Sequence, residues 1–200
     1  EKTEWDWEGI RDADSSSFRL SPNEIIVDNE DVGFRLVEKD KRKKWGEHLQ
    51  EEREYQSLED VGDGWILSIS SSLYGHKIKS AYCKKAGIGE EYAEWMVKIK
   101  EPGKYRATFL GSFLKNARLY YQVFSEEGDT YVELDLNEET PGWIELGTYE
   151  FREGDYFVRL SDKGGTDLQP VIKTRMLRRN TNVTCYQIII ADAVKWVKVE

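Results

Sequence analysis

Cysteine, histidine and long apolar runs are what this chain of 200 residues has least of, and each scarcity excludes something. Its two cysteines, Cys83 and Cys185, lie about a hundred positions apart, too few for a disulfide scaffold and too distant for metal-thiolate spacing. They leave either one bridge, if the strands carrying them are neighbours, or two buried thiols. No apolar run approaches the ~18–20 residues that cross a bilayer, so no membrane span is expected. Basic charge is also short: 29 Lys and Arg against 38 Asp and Glu leave a net charge of −9. A surface of that sign repels phosphate backbones and argues against nucleic acid as a partner. Only His48 and His76 could act as imidazole bases, and no G-x-S-x-G, H-E-x-x-H, P-loop or dinucleotide glycine motif accompanies them. Acid pairs abound, but 38 acids produce them by chance and spacing selects none. The expectation is a chain that is not an enzyme.

The chain begins at Glu1, without initiator Met or signal peptide, and reads as a mature or excised piece of a longer product. Its 39% hydrophobic and 34% charged residues would suit disorder if aromatics were few, but 7 Trp, 11 Tyr and 7 Phe are spread along it. Folded and soluble is the better reading. Two hundred residues suit one domain with a sizeable core.

Residues 1–22 are acidic, end in serines and a proline, and show no lasting period; they read as a linker or N-terminal tail, with Trp5 and Trp7 able to dock on the body. Residues 23–200 form the domain. "EYAEWMVKI" alternates, with Ala93, Trp95, Val97 and Ile99 on one face and Glu94, Met96 and Lys98 on the other. "ARLYYQVF" and "TYVELDL" flank the turn "SEEGD" as a β-hairpin, and "GWIELGTYEF" and "GDYFVRLS" flank "REGD" as another. Short strands with Gly-bearing turns predict an all-β, antiparallel β-sandwich. Two stretches interrupt the rhythm. Residues 38–60 are densely charged with helix formers, anchored only by Trp45, Leu49 and Tyr55, and predict a helix or ordered loop on the surface. Residues 164–184 form a basic excursion carrying Lys173, Arg175, Arg178 and Arg179 and ending in the sequon Asn182-Val183-Thr184.

Several stretches in order carry a family resemblance: "IIVDNEDVGF" (25–34), Gly64-Trp65 with Ser68 and Tyr74-Gly75, "AEWMVKIKEPGKYRATF" (93–109), "GWIELGTYEFREGDYFVRLSD" (142–162) and "IIADAVKWV" (189–197). Over about residues 24–200 the chain resembles the golvesin C-terminal domain, also called the xanthan-lyase carbohydrate-binding-like domain. The resemblance implies a jelly-roll-like β-sandwich of secreted or envelope bacterial proteins, placed beside a covalently linked catalytic domain and binding polysaccharide. It also implies framework positions for Trp65, Trp95 and Trp143, with "ADAV" around Asp192 as a framework signature. The stretches 38–60 and 164–184 depart from the compact family pattern.

Glycan binding needs rings that stack on sugar C–H faces and planar polar groups that bond hydroxyls. The outward face of the hairpin offers Arg118, Tyr120 and Gln122 opposite Tyr131, Glu133 and Asp135, although the same set suits ordinary cross-strand pairing. Trp45 and Tyr74, in loop-like contexts, complete the candidate carbohydrate-binding set. His76, after a Tyr-Gly turn, reads as a surface residue. A protein-interaction module using the two insertions, with Leu49 and Met176 in an apolar patch, is the alternative. Near the C-terminus, Ile188, Ile190, Val194 and Trp196 are expected on one strand face, with Asp192 set among them. If first and last strands are neighbours, Asp28, Asn29 and Asp31 approach Asp192. These oxygens could hold a structural calcium ion. The preferred reading is that Asp28 and Asp192 accept hydrogen bonds from turn amides and tie the chain ends together, with no cofactor.

Overall fold

The structure, a computed structural model, describes residues 23–75, 78–111, 118–164, 171–172, 184–185 and 187–199. The tail at 1–22, His76, and Lys173, Arg175, Met176, Arg178 and Arg179 of the basic excursion lie outside the described residues. In chain order the strands are β1 (Glu24–Asp28), β2 (Phe34–Glu38), β3 (Lys41–Arg42), β4 (Ile66–Ile69), β5 (Ser80–Lys85), β6 (Tyr92–Ile99), β7 (Gly103–Gly111), β8 (Arg118–Ser125), β9 (Gly128–Asp135), β10 (Gly142–Phe151), β11 (Gly154–Ser161), β12 (Val171–Ile172), β13 (Thr184–Cys185), β14 (Ile188–Ala191) and β15 (Ala193–Lys198).

Two antiparallel sheets face each other: one in the order β1-β15-β7-β10, the other β3-β2-β6-β11-β8-β9. Strict alternation builds the core between them. From β6 come Ala93, Trp95, Val97 and Ile99, from β7 Tyr105, Ala107 and Phe109, and from β11 Val158 and Leu160, all buried. A smaller sheet, β14-β5-β4, closes over a second cluster of Val61, Leu73, Ala81 and Cys83. Cys83 is a free thiol buried there, and burial pushes it up to about 12. Chain ends meet as the sandwich reading expects, because β1 runs beside β15 with Asp28 opposite Ala193.

Three expectations need correction. The insertion at 38–60 is not an α-helix; it holds β3 and two 3-10 turns, Glu47–Gln50 and Leu58–Asp60. Its anchors Trp45, Leu49 and Tyr55 make no continuous stripe at helical period, so no face exists for a helix to bury. Gly46, at φ 70, turns the chain instead, and Tyr55 bridges to Leu67 of β4. "SEEGD" does make the β8–β9 hairpin, with Ser125 opposite Gly128, but "REGD" does not join a hairpin. β10 pairs with β7 and β11 with β6 and β8, so this short connection crosses between sheets. Both strands alternate, yet their apolar sides face one another across the core, where Phe151 and Tyr156 meet edge-to-face at 4.7 Å. Finally, the C-terminal stretch does not keep one face. Ile189 and Ala191 enter the main core before Asp192, and Val194 and Trp196 after it, while Ile188 and Ile190 turn to the smaller cluster. Parity shifts at Asp192 because the chain there leaves the three-stranded sheet for the four-stranded one.

On the outer side of the six-stranded sheet lies a carboxylate that the alternation marks as outward but that is 0% exposed: Glu94 of β6. Its register partners are Arg35 on β2 and Arg159 on β11. Arg35 Nε donates to Oε2 at 2.6 Å, Arg159 donates to Oε1 from Nε at 2.7 Å and approaches through its Nη2 at 2.6 Å, and Arg42 Nη2 lies 3.5 Å from Oε2. One buried anion thus holds three guanidinium groups from β2, β3 and β11. Removing a single partner of a buried ion pair leaves uncompensated charge. Glu94→Ala is expected to lower unfolding free energy in urea by about 3–5 kcal/mol, and a change under about 1 kcal/mol would place the cluster among weak surface pairs.

Candidate functional site

From Glu94 a polar row continues across the outer face of the six-stranded sheet. Arg159 stands opposite Gln122 of β8, and Gln122 opposite Tyr131 of β9. Arg159 Nη1 donates to Gln122 Oε1 at 3.3 Å, and Gln122 Nε2 donates to the Tyr131 hydroxyl at 3.0 Å and to Asp129 at 3.0 Å. The Tyr131 ring is 76% exposed, an unusual state for a large side chain on a strand. Rings flank this row. Phe124 and Phe157 stack at 3.9 Å on one side, and the Arg159 guanidinium lies 4.7 Å from the Tyr92 centroid on the other. Trp45 from the insertion reaches the same face, with the Arg35 guanidinium 3.8 Å above its ring and Phe157 at 6.4 Å.

Of the candidate binding residues, Trp45, Arg118, Tyr120, Gln122, Tyr131 and Glu133 therefore share this face, with Trp45 and Tyr120 half-buried. Lys163 Nζ sits 4.6 Å from the Tyr120 ring, and Arg118 is held between Glu133 and Asp135, each at 3.4 Å. Tyr74 is not part of the group. It lies at the opposite side of the sandwich, edge-on to Trp143 at 5.8 Å, with Lys195 Nζ 4.4 Å from that indole. Among the framework tryptophans, Trp95 is in the core, whereas Trp65 and Trp143 are half-buried. Leu49 is half-buried as well. Sequence reasoning missed Arg35, Glu94, Arg159, Phe124 and Phe157. Their outward positions were readable from alternation, but which strands lie side by side was not.

The acids at the chain ends form a separate buried corner. The Asp192 carbonyl accepts from Asn29 N at 3.1 Å and from Trp95 Nε1 at 3.0 Å, and its carboxylate accepts the Tyr74 amide at 3.1 Å. Asp28 Oδ1 accepts from Asn29 N at 2.7 Å, and Asp31 Oδ2 from Asp28 N at 2.8 Å. Each carboxylate is thus engaged by a backbone amide. Among the described residues, no group of three or more His, Cys, Asp or Glu is arranged to hold a metal ion. Burial raises the Asp192 carboxyl to about 7 against the opposing Tyr74 amide. Burial first, then the neighbouring Asp192 and Asp31 charges, lifts Asp28 well above the ordinary range.

A two-sheet antiparallel sandwich with an aromatic and polar outer face defines the class of a β-sandwich module. The golvesin C-terminal domain family matches residues 51–172, more than half of the sequence, and the chain belongs to that family. The described structure resembles part of a Paenibacillus xanthan lyase, with a TM-score of 0.58 and 17% identity, over 89% of this chain and 13% of that enzyme. This likeness concerns the fold alone, and the chain spans about an eighth of the enzyme's length. The CBM22-1 xylan-binding domain from Paenibacillus barcinonensis Xyn10C overlays at a TM-score of 0.28 with 12% identity, over 68% of this chain and 84% of that one, too loosely to bear on fold or function. No curated protein matches the chain.

The acid corner makes stability depend on pH. With Asp192 titrating at about 7 and Asp28 also raised, the folded chain binds more protons than an unfolded chain whose aspartates titrate near ~3.9. This contribution is fully present below about pH 4 and is lost as pH rises through about 7. Asp192→Asn, which keeps an acceptor for the Tyr74 amide without the charge, is expected to flatten this decline and to match or exceed the parent in thermal midpoint near pH 8. Asp192→Ala leaves the amide unpartnered and is expected to be less stable than the Asn variant by about 1–3 kcal/mol. Melting curves of all three from about pH 5 to 8 check both statements.

Proposed function

We propose that the chain is a non-catalytic carbohydrate-binding module, and that the outer face of the six-stranded sheet is its polysaccharide contact surface. One observation carries this reading: the exposed Tyr131 ring is continuous with Gln122 and Arg159, planar polar groups fixed by mutual hydrogen bonds. A sugar ring stacks its C–H face on an aromatic, and its hydroxyls bond to amide and guanidinium groups at the edge. Because Arg159 is clamped by Glu94 and Gln122 by Arg159, little side-chain entropy remains to be lost on binding. Tyr120 and Trp45, half-buried on the same face, extend the surface beyond a single sugar unit.

The module works beside a covalently linked catalytic domain, in a secreted, periplasmic or cell-surface protein, and raises that domain's local concentration on its polysaccharide. Membership of the golvesin family and the occurrence of this fold inside an enzyme named xanthan lyase support that placement. Among the described residues, no helix is long and apolar enough to cross a membrane.

A polysaccharide array on the chain, followed by affinity electrophoresis with each hit, tests the proposal. Binding to at least one neutral or acidic polysaccharide is expected. Tyr131→Ala and Gln122→Ala should each weaken it on the order of tenfold or more with the melting temperature unchanged, while Tyr74→Ala leaves it intact. Absence of binding across the array, or loss through Tyr74→Ala alone, contradicts the proposal.

A further inference from the structure

Between the three-stranded sheet and the end of β11, a lysine amine is enclosed with two carboxylates. Lys84 sits on β5, Asp162 directly follows β11, and Glu91 directly precedes β6. Lys84 is 4% exposed and Asp162 2%. Lys84 Nζ donates to Asp162 Oδ2 at 2.8 Å and to Glu91 Oε2 at 2.6 Å, with the Trp65 ring 5.6 Å away. Backbone bonds hold the three together: Gly87 N donates to Asp162 O at 2.7 Å, and Asp162 N donates to Glu91 O at 2.9 Å. The segment 86–91 folds so closely over the carboxylate that any side chain at Gly87 would run into Asp162.

The two oxygens of Asp162 meet different chemistry. Oδ2 faces the amine, while Oδ1 accepts from the Gly89 amide at 2.8 Å and the Glu91 amide at 3.4 Å. Amides aimed in this way stabilise the negative charge that develops on a carboxyl oxygen when a nucleophile adds to its carbon. A neutral lysine amine is such a nucleophile, and Glu91 Oε2 lies within proton-transfer reach of it. The Lys39 amide approaches the other oxygen, Oε1, at 3.5 Å, which leaves Oε2 to the amine. Burial works to lower the Lys84 ammonium, but its hydrogen bonds to Asp162 and Glu91 outweigh burial and raise it, so the ion pair is the resting form. The reactive form is a tautomer of that pair. Moving one proton from Nζ to Oδ2 neutralises both groups and leaves the total charge of the three unchanged. Burial favours this transfer, because separated charges are costly away from water.

We propose that Lys84 and Asp162 condense into an intramolecular isopeptide bond, with Glu91 as proton carrier. Nζ attacks Cγ, so that an Nζ–Cγ bond forms and the Cγ–Oδ2 bond breaks. Glu91 takes the proton that the amine releases and passes it to the departing hydroxyl, which leaves as water. Glu91 ends ionised as it began, and no oxidant or cofactor is consumed. The reaction occurs once per chain and is not turnover. The bond ties β5 to the end of β11 across 78 positions and restricts the unfolded chain as a disulfide would, whereas the buried Cys83 is a free thiol. It does not require the sheet face to bind a glycan.

The test is the intact mass of the purified, denatured full chain, followed by tryptic digestion and sequencing of the fragments. The chain is expected to be lighter than its sequence by one water, with a branched peptide joining Lys84 to Asp162. Lys84→Arg and Asp162→Ala should each keep the full sequence mass. Glu91→Gln, confirmed as folded by its cooperative melting, should form the bond on the order of a hundredfold more slowly and melt below the parent while unlinked. A parent chain that keeps its full mass after prolonged incubation in the folded state holds only an ion pair, and the proposal is wrong. Water loss that maps to another position, or that persists in Lys84→Arg, overturns it as well. Equal rates in Glu91→Gln and the parent overturn the role of Glu91. The parent mass decides the main point alone, so a variant that fails to fold leaves the proposal falsifiable.

Discussion

Glu94 is the constraint on which the outer face depends. A carboxylate with no exposure in the middle of a sheet is costly unless every oxygen is engaged. Here Arg35 and Arg159 supply short charge-assisted hydrogen bonds from both neighbouring strands, and Arg42 adds a longer contact from β3. The arrangement pins the lateral register of β2, β6 and β11, since a one-residue slip would carry each arginine to the opposite face. It also orients two guanidinium planes. One covers Trp45 and the other reaches Gln122, so a structural ion cluster organises aromatic and amide groups as far as Tyr131.

The other end of the molecule solves a different problem. At Asp192 the chain passes from one sheet to another, which interrupts the ladder and leaves polar groups inside. Its carbonyl takes two donors, one from β6 through Trp95 and one from the β1 turn through Asn29, and its carboxylate takes the Tyr74 amide. The result joins the first strand, the last strand and the 70–75 loop in a region where Asp28 and Asp31 crowd the same volume. Amide satisfaction is obtained at the expense of burying carboxylates together: burial raises the Asp192 carboxyl, and burial followed by the neighbouring Asp192 and Asp31 charges raises that of Asp28.

Much of the fold was legible in residue order. The alternation of Ala93, Trp95, Val97 and Ile99 identified the core side of β6, and "SEEGD" identified the β8–β9 turn, because both depend on local periodicity and turn chemistry. The neighbours of each strand were not legible. "REGD" has the residues of a hairpin turn, yet its strands enter different sheets, a choice made by core packing rather than by the turn. Charge density at 38–60 suggested a helix, while the structure anchors irregular backbone with Trp45, laid on the outer sheet face under Arg35, and with His48, buried against Phe34. For the same reason Gln122 and Tyr131 could be read as one hairpin pair, whereas Arg159 and Glu94, distant in sequence, became part of the face only through register. Tyr74, chosen for its loop context, falls on the far side beside Trp143.

The central claim is that the outer face of the six-stranded sheet meets polysaccharide. Hydrogen–deuterium exchange of the full chain, with and without a saturating bound polysaccharide, tests it most directly. The account predicts added protection concentrated in β8, β9 and β11, with the Tyr74–Trp143 side unchanged. Protection confined to the Tyr74–Trp143 side, with 118–135 and 154–161 exchanging as in the free chain, would contradict it.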